Sequence, residues 1–95
     1  MLEFSVYPKE PAWLLYTKDG CDSCASAKAA LQNRLQAYRM TVCPNDKKKK
    51  MKLLESLSNK APGHKTFPFV FHKRREGEEY RFIGGWEKLD SYLNE

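Results

Sequence analysis

A chain of 95 residues with 41% hydrophobic and 31% charged side chains has the size of one domain and the composition of a globular protein, which excludes a disordered tail. No apolar run approaches the roughly 18–20 residues of a membrane span, and the opening MLEFSVYPKEPAW lacks the basic start and apolar stretch of a secretion signal. Three cysteines are too few, and odd in number, for a secreted disulfide scaffold, so a reducing, cytoplasmic setting is expected, while the net charge of +5 raises the question of nucleic acid.

Residues 1–11 fit no periodic pattern and are left as an N-terminal extension of the single expected domain, 1–95. Ala12 to Thr17 (AWLLYT) is a short apolar run of strand length. The loop Lys18-Asp19-Gly20 follows and delivers the first two cysteines. From about Asp22 to Tyr38 the residues are good helix formers, and Ala27, Leu31, Leu35 and Tyr38 recur at three- and four-residue spacing, which predicts one apolar face. Arg39 to Cys43 reads as a second strand, closed by Pro44.

Asp46 is placed to cap a second helix with Met51, Leu54 and Leu57 on its buried side. Its first turns hold Lys47, Lys48, Lys49, Lys50 and Lys52. Setting those five aside leaves 12 of the 17 basic side chains against 12 acidic ones. The basicity is therefore one local run, which reads as a solvated face and argues against nucleic acid as a partner. Pro62 and Gly63 mark a loop. Phe67 to Lys73 is strongly strand-like and pairs with Glu78 to Ile83 across an Arg-Glu-Gly turn. After Gly84-Gly85, a last helix places Trp86, Leu89, Tyr92 and Leu93 on one face. The order βαβαββα predicts an α/β fold: a four-stranded mixed sheet flanked by about three helices.

Chemistry concentrates in Cys21-Asp22-Ser23-Cys24, between a predicted strand and a predicted helix. The spacing puts Cys21 at the first turn and Cys24 one turn further in, where unpaired backbone N–H groups are available to a thiolate. A free thiol with a pKa of about 8.5 is mostly protonated at neutral pH, and reactive C-x-x-C cysteines titrate at about 3.5–7.5. Closing three units takes about 4 kcal/mol, more than the roughly 2 kcal/mol a helix dipole supplies at best. Hydrogen bonds or a cation must add the rest, and Lys18 is the nearest candidate. Cys21 then attacks a disulfide sulfur and Cys24 resolves the mixed disulfide. The alternatives are two small buried residues or a zinc half-site; zinc would need Cys43 with His64 or His72, none of which forms a second close pair, so no metal is expected. Cys43 reads as a small strand residue. Pro68 opens an apolar strand where it cannot donate to the ladder, and Gly84-Gly85 permits positive φ or close backbone approach.

Together, Lys18-x-x-Cys21-x-x-Cys24, Thr66-Phe67-Pro68-Phe69-Val70-Phe71 and Phe82-Ile83-Gly84-Gly85-Trp86-Glu87-Lys88-Leu89 resemble the dithiol glutaredoxins, over about 80 residues from Trp13 onward. The resemblance implies a thioredoxin-like fold, a cis peptide before Pro68, and a thiol–disulfide oxidoreductase that uses glutathione as co-substrate to reduce protein disulfides and glutathione mixed disulfides. It assigns Cys21 as nucleophile and Cys24 as resolving thiol. It places Lys18, assisted by Lys65, at the glycine carboxylate of glutathione. The Phe67 backbone, held by Pro68, pairs with the cysteinyl part, and Gly85 and Glu87 meet the γ-glutamyl end. Disulfide-containing proteins, ribonucleotide reductase among the family-level candidates, are the implied partners, with no membrane and a monomeric chain expected. The sequence departs from the family in carrying Asp22-Ser23 where Pro-Tyr is common, and it lacks the Cys-Gly-Phe-Ser motif of iron–sulfur carriers. Competing functions are reduction by thioredoxin reductase instead of glutathione, and a non-catalytic module that binds nucleic acid or an acidic partner through Lys47 to Lys52.

Overall fold

The computed structural model describes residues 11–75 and 77–94. Residues 1–10 of the unplaced extension, and Glu76 of the Arg-Glu-Gly turn, lie outside the described residues. The elements follow the expected order: β1 (Trp13–Thr17), α1 (Asp22–Asn33), β2 (Tyr38–Val42), α2 (Lys47–Lys60), β3 (Phe69–His72), β4 (Arg81–Gly84) and α3 (Trp86–Leu93). They form one sheet in the order β2-β1-β3-β4. β1 runs parallel to β2, with Trp13 beside Tyr38 and Thr17 beside Val42. It runs antiparallel to β3, with Leu15 beside Val70, and β3 pairs antiparallel with β4.

The apolar run of β1 follows from its central position, which demands burial on both faces. Side chains alternate across a strand, so Trp13 and Leu15 face one way and Leu14 and Tyr16 the other. The first face packs on Ala27 and Leu31 of α1, Val70 of β3 and Leu89 of α3. The second packs Phe69 and Phe71 against Leu57 of α2 and Ala61 beyond its end. Helices α1 and α3 thus cover one side of the sheet and α2 the other. No helix among the described residues is long and apolar enough to cross a membrane.

Two expectations about the helices need correction. Helix α1 ends at Asn33, not near Tyr38. The N–H of Gln36 donates to the carbonyl of Leu31 and that of Leu35 to Gln32, both at 3.0 Å. These are the two bonds of a Schellman cap, and they put Leu35 at the left-handed position usually held by glycine. Leu35 accordingly has φ +55° and is 92% exposed, so it joins no apolar face. Because a left-handed Cβ costs about 1–2 kcal/mol, we expect Leu35→Gly to stabilise the protein by about 0.5–1 kcal/mol; an unchanged or lower denaturation midpoint would contradict this. In α2, Met51 is 62% exposed rather than buried. The covered stripe runs through Leu53, Leu54, Leu57 and Ala61, and Met51 lies roughly 100° around the helix from Lys50, which heads that stripe.

One ring cluster ties the first face together. Trp13 stacks at 4.1 Å on His72 and meets Tyr92 edge-on at 5.5 Å, while its indole N–H donates to Gln36 Oε1 at 3.1 Å. Burial pushes the His72 imidazole below its ordinary value of 6.5; Arg74 adds to the shift and Glu78 partly opposes it. A histidine lowered on folding binds its proton more readily in the unfolded chain. Stability therefore rises with pH through the interval just below 6.5 and is lost as pH falls through it. Denaturation midpoints should show that slope, and His72→Phe should flatten it; an equal slope in the variant would assign it elsewhere.

Candidate active site

Strand β1 ends at Thr17, whose carbonyl accepts the N–H of Cys43 at 2.7 Å. The chain then turns through Gly20, at φ +72°, into α1. Cys21 sits one residue earlier than the expected first turn. It is the N-cap itself, with extended backbone (φ −101°, ψ 108°), and its carbonyl accepts the first helical bond from Ala25. The N–H of Cys24 donates to Cys21 Sγ at 3.1 Å. Sulfur thus occupies the place where a hydroxyl or carboxylate oxygen usually caps a helix, and a backbone donor is already aimed at it. Cys21 and Cys24 are joined as a disulfide with Cα atoms 5.2 Å apart. Cys24 is 4% exposed and Cys21 only half-buried, so solvent reaches the pair from the Cys21 side.

The segment before β3 closes over this sulfur. The Phe67–Pro68 peptide is cis, and the Phe67 carbonyl oxygen lies 3.8 Å from Cys21 Sγ. Lys18 Nζ stands 6.0 Å from the centre of the Phe67 ring. His64, weighed from the sequence only as a zinc ligand, places Nε2 3.3 Å from the Pro68 carbonyl oxygen. Its ring meets Phe69 and Phe82 edge-on, at 4.8 and 5.0 Å. Gly85 of the double glycine packs on the same histidine. A Cβ at Gly85 would sit 3.3 Å from His64 Cε1, and one at Gly84, where φ is +140°, would come within 2.7 Å of Lys88 Cβ. Gly84 is therefore the position that admits no side chain.

Two hollows flank Phe67. One, of about 500 Å³, is lined by Thr66, Phe67, Pro68, Gly85, Trp86 and Glu87 among others, and reaches Ser23. The other, of about 390 Å³, is lined by Lys18, Asp19, Cys43, Lys50, Lys65 and Phe67 among others. The expected site residues thus assemble: Cys21 and Cys24 at the head of α1, Pro68, Gly85 and Glu87 on one side of Phe67, Lys18 and Lys65 on the other. Trp86 packs on the first core cluster and also borders the larger hollow. Cys43, one residue beyond β2, is a buried free thiol. Among the described residues, no group of three or more His, Cys, Asp or Glu side chains is placed to hold a metal ion.

A family model described as glutaredoxin matches residues 14–76 of this sequence. The chain belongs to the glutaredoxin family. The matched span contains the cysteine pair and the cis-proline segment but stops short of Gly84-Gly85, which line the larger hollow. Solved glutaredoxins share the fold. The dithiolic glutaredoxin 2-C-Grx1 of Trypanosoma brucei brucei superposes with a TM-score of 0.69 at 20% identity, over 88% of this chain and 78% of that one. A wheat glutaredoxin gives 0.68 at 17% identity, over 87% and 72%. Oxidized glutaredoxin 2 of Chlamydomonas reinhardtii gives 0.66 at 21% identity, over 88% and 72%. No curated protein matches the sequence. The fold is thioredoxin-like, and the protein is a glutaredoxin-type thiol–disulfide oxidoreductase with a disulfide-capable Cys-x-x-Cys pair.

Between the two cysteines stand Asp22 and Ser23. Asp22 lies in the first turn of α1, exposed, where its carboxylate favours the helix dipole. The same charge next to Cys21 disfavours a thiolate. We expect an Asp22→Pro/Ser23→Tyr variant to ionise Cys21 at lower pH than the wild type, read by thiolate absorbance on the reduced proteins. Coincident titration curves would refute a role for the carboxylate.

Proposed function

We propose that this glutaredoxin draws its electrons from glutathione and reduces protein disulfides and glutathione mixed disulfides, with Cys21 as nucleophile and Cys24 as resolving thiol. In the dithiol route, the Cys21 thiolate attacks one sulfur of a substrate disulfide and releases the other as a thiolate. The Cys24 thiolate then attacks Cys21 Sγ, which frees the second substrate thiol and closes the Cys21–Cys24 disulfide. Two glutathione thiols reopen that disulfide and leave as glutathione disulfide.

One observation carries the reading: the two hollows share Phe67, whose carbonyl lies beside Cys21 Sγ, and their linings differ in chemistry. Lys18 and Lys65 line one, complementary to the glycine carboxylate of the tripeptide. Gly85 and Glu87 line the other, where a backbone N–H and a carboxylate suit the α-carboxylate and α-ammonium of the γ-glutamyl group. Phe67 lies between them, where the cysteinyl part must sit for its sulfur to reach Cys21. A volume of several hundred cubic ångströms suits a ligand of that size. The same reading keeps the protein in a reducing, cytoplasmic compartment, acting as one monomeric domain with Cys43 as a free thiol.

The test is turnover of a small mixed disulfide with glutathione and glutathione reductase, or with thioredoxin reductase, as the electron source. Glutathione should support turnover, and Lys18→Ala with Lys65→Ala should raise its KM. Turnover sustained by thioredoxin reductase and not by glutathione would replace this reading with its rival.

A further inference from the structure

The lysine run is not only a solvated face. We propose that Lys50, with Lys47 beside it, extends the hollow next to Cys21 into a docking surface for an acidic segment of the protein substrate. The inference rests on the exchange reading above and names the class of substrate it would take.

Position carries the argument first. Lys50 precedes Leu53, Leu54 and Leu57 by three, four and seven residues, so it lies on the stripe by which α2 covers the sheet. One turn beyond the buried leucine, that stripe leaves the core and passes over the hollow, which Lys50 and Leu54 both border together with Lys18 and Lys65. Lys47 lies three residues before Lys50, on the adjoining surface. Lys48 and Lys52 fall on the opposite side of the helix. Three ammonium groups therefore border the hollow, against the single carboxylate of Asp19.

Charge carries it next. The protein outside the run is balanced, so the excess positive charge lies in the first turns of α2, from which Lys50 borders this hollow. The fold itself gives these lysines no reason to be there. Positive charge in a first turn opposes the helix dipole; α2 has no acidic residue in that turn, and Asp46 makes no side-chain capping bond. An acidic segment flanking a disulfide would neutralise the field while presenting its sulfur to Cys21. Nucleic acid fits less well, because it offers no disulfide to a surface that leads to Cys21, and because the balanced remainder supplies no wider basic tract for a phosphate backbone.

The test uses two glutathionylated peptides with the same central cysteine, flanked by Asp and Glu in one and by Lys in the other, and compares kcat/KM on the full chain. Wild type should favour the acidic peptide by about tenfold at low ionic strength, and the preference should shrink as salt is added. K47Q/K50Q should reduce the ratio to near unity, whereas K48Q/K52Q, with the same change in net charge, should keep most of it. Equal rates on the two peptides, or equal loss in both double variants, would overturn the proposal. So would salt-dependent binding of an oligonucleotide, weakened by K47Q/K50Q, from a protein that shows no peptide preference. Cysteine–glutathione disulfide separates the levels of failure. Turnover of it without peptide preference sinks only the docking surface, while no turnover sinks the functional reading and this inference together.

Discussion

Cys21→Ser should lower disulfide-exchange turnover by on the order of 10³-fold or more, because a hydroxyl cannot replace the thiolate as nucleophile toward sulfur. The loss should be chemical and not structural. Serine is a preferred N-cap, and its oxygen can accept the Cys24 N–H that now points at Cys21 Sγ, so thermal stability of the reduced protein should hold. Cys24→Ser should behave differently. Cys24 is buried behind Cys21 and enters the chemistry only when a second protein thiol must displace the substrate. A glutathione mixed disulfide needs no such step, so its turnover should stay within about tenfold of wild type, while reduction of an intramolecular protein disulfide should cease. Loss of both reactions in Cys24→Ser would make the dithiol route obligatory. Activity surviving in Cys21→Ser but not in Cys24→Ser would exchange the two roles.

The largest effect on stability should come from Trp13→Ala, at about 3–5 kcal/mol. The indole is 1% exposed at the start of the central strand, and it joins β1 to α3 through Tyr92, to β3 through His72, and to the α1–β2 connection through Gln36. Truncation removes those contacts together and leaves a cavity lined by rings that cannot collapse far. Folded domains of this size are stable by only about 5–15 kcal/mol in total, so the variant should denature at much lower urea concentration and populate unfolded chain near physiological temperature. A cost below about 1.5 kcal/mol would mean that the face repacks around the gap.

The features legible from sequence are those written in local patterns. AWLLYT announced a strand, and the cysteine pair lay at the head of the helix that follows it. The end of α1 was hidden because leucine stands where a Schellman cap calls for glycine, so the apolar period appeared to run on to Tyr38. Met51 misled for a related reason: an apolar residue next to the stripe looks like part of it until the helix is seated on the sheet. At the site, the resemblance supplied the cis Pro68 and the residues around Phe67, which composition alone could not pair. His64 was visible only as a possible zinc ligand, since its importance lies in meeting Pro68, Phe82 and Gly85, contacts made only after β4 returns beside β3. Lys50 was visible as charge but not as a neighbour of Lys18 and Lys65.

The placement of the two tryptophans has a practical consequence. Trp13 is sealed among rings on the side of the sheet covered by α1 and α3, whereas Trp86 is half-buried at the rim of the hollow next to Gly85. Their emission therefore reports different events. The sealed indole follows unfolding, and the rim indole responds when a molecule settling against Gly85 displaces water from its ring. A Trp13→Phe version would leave the rim signal alone, making the protein its own label-free optical sensor of whatever enters that hollow.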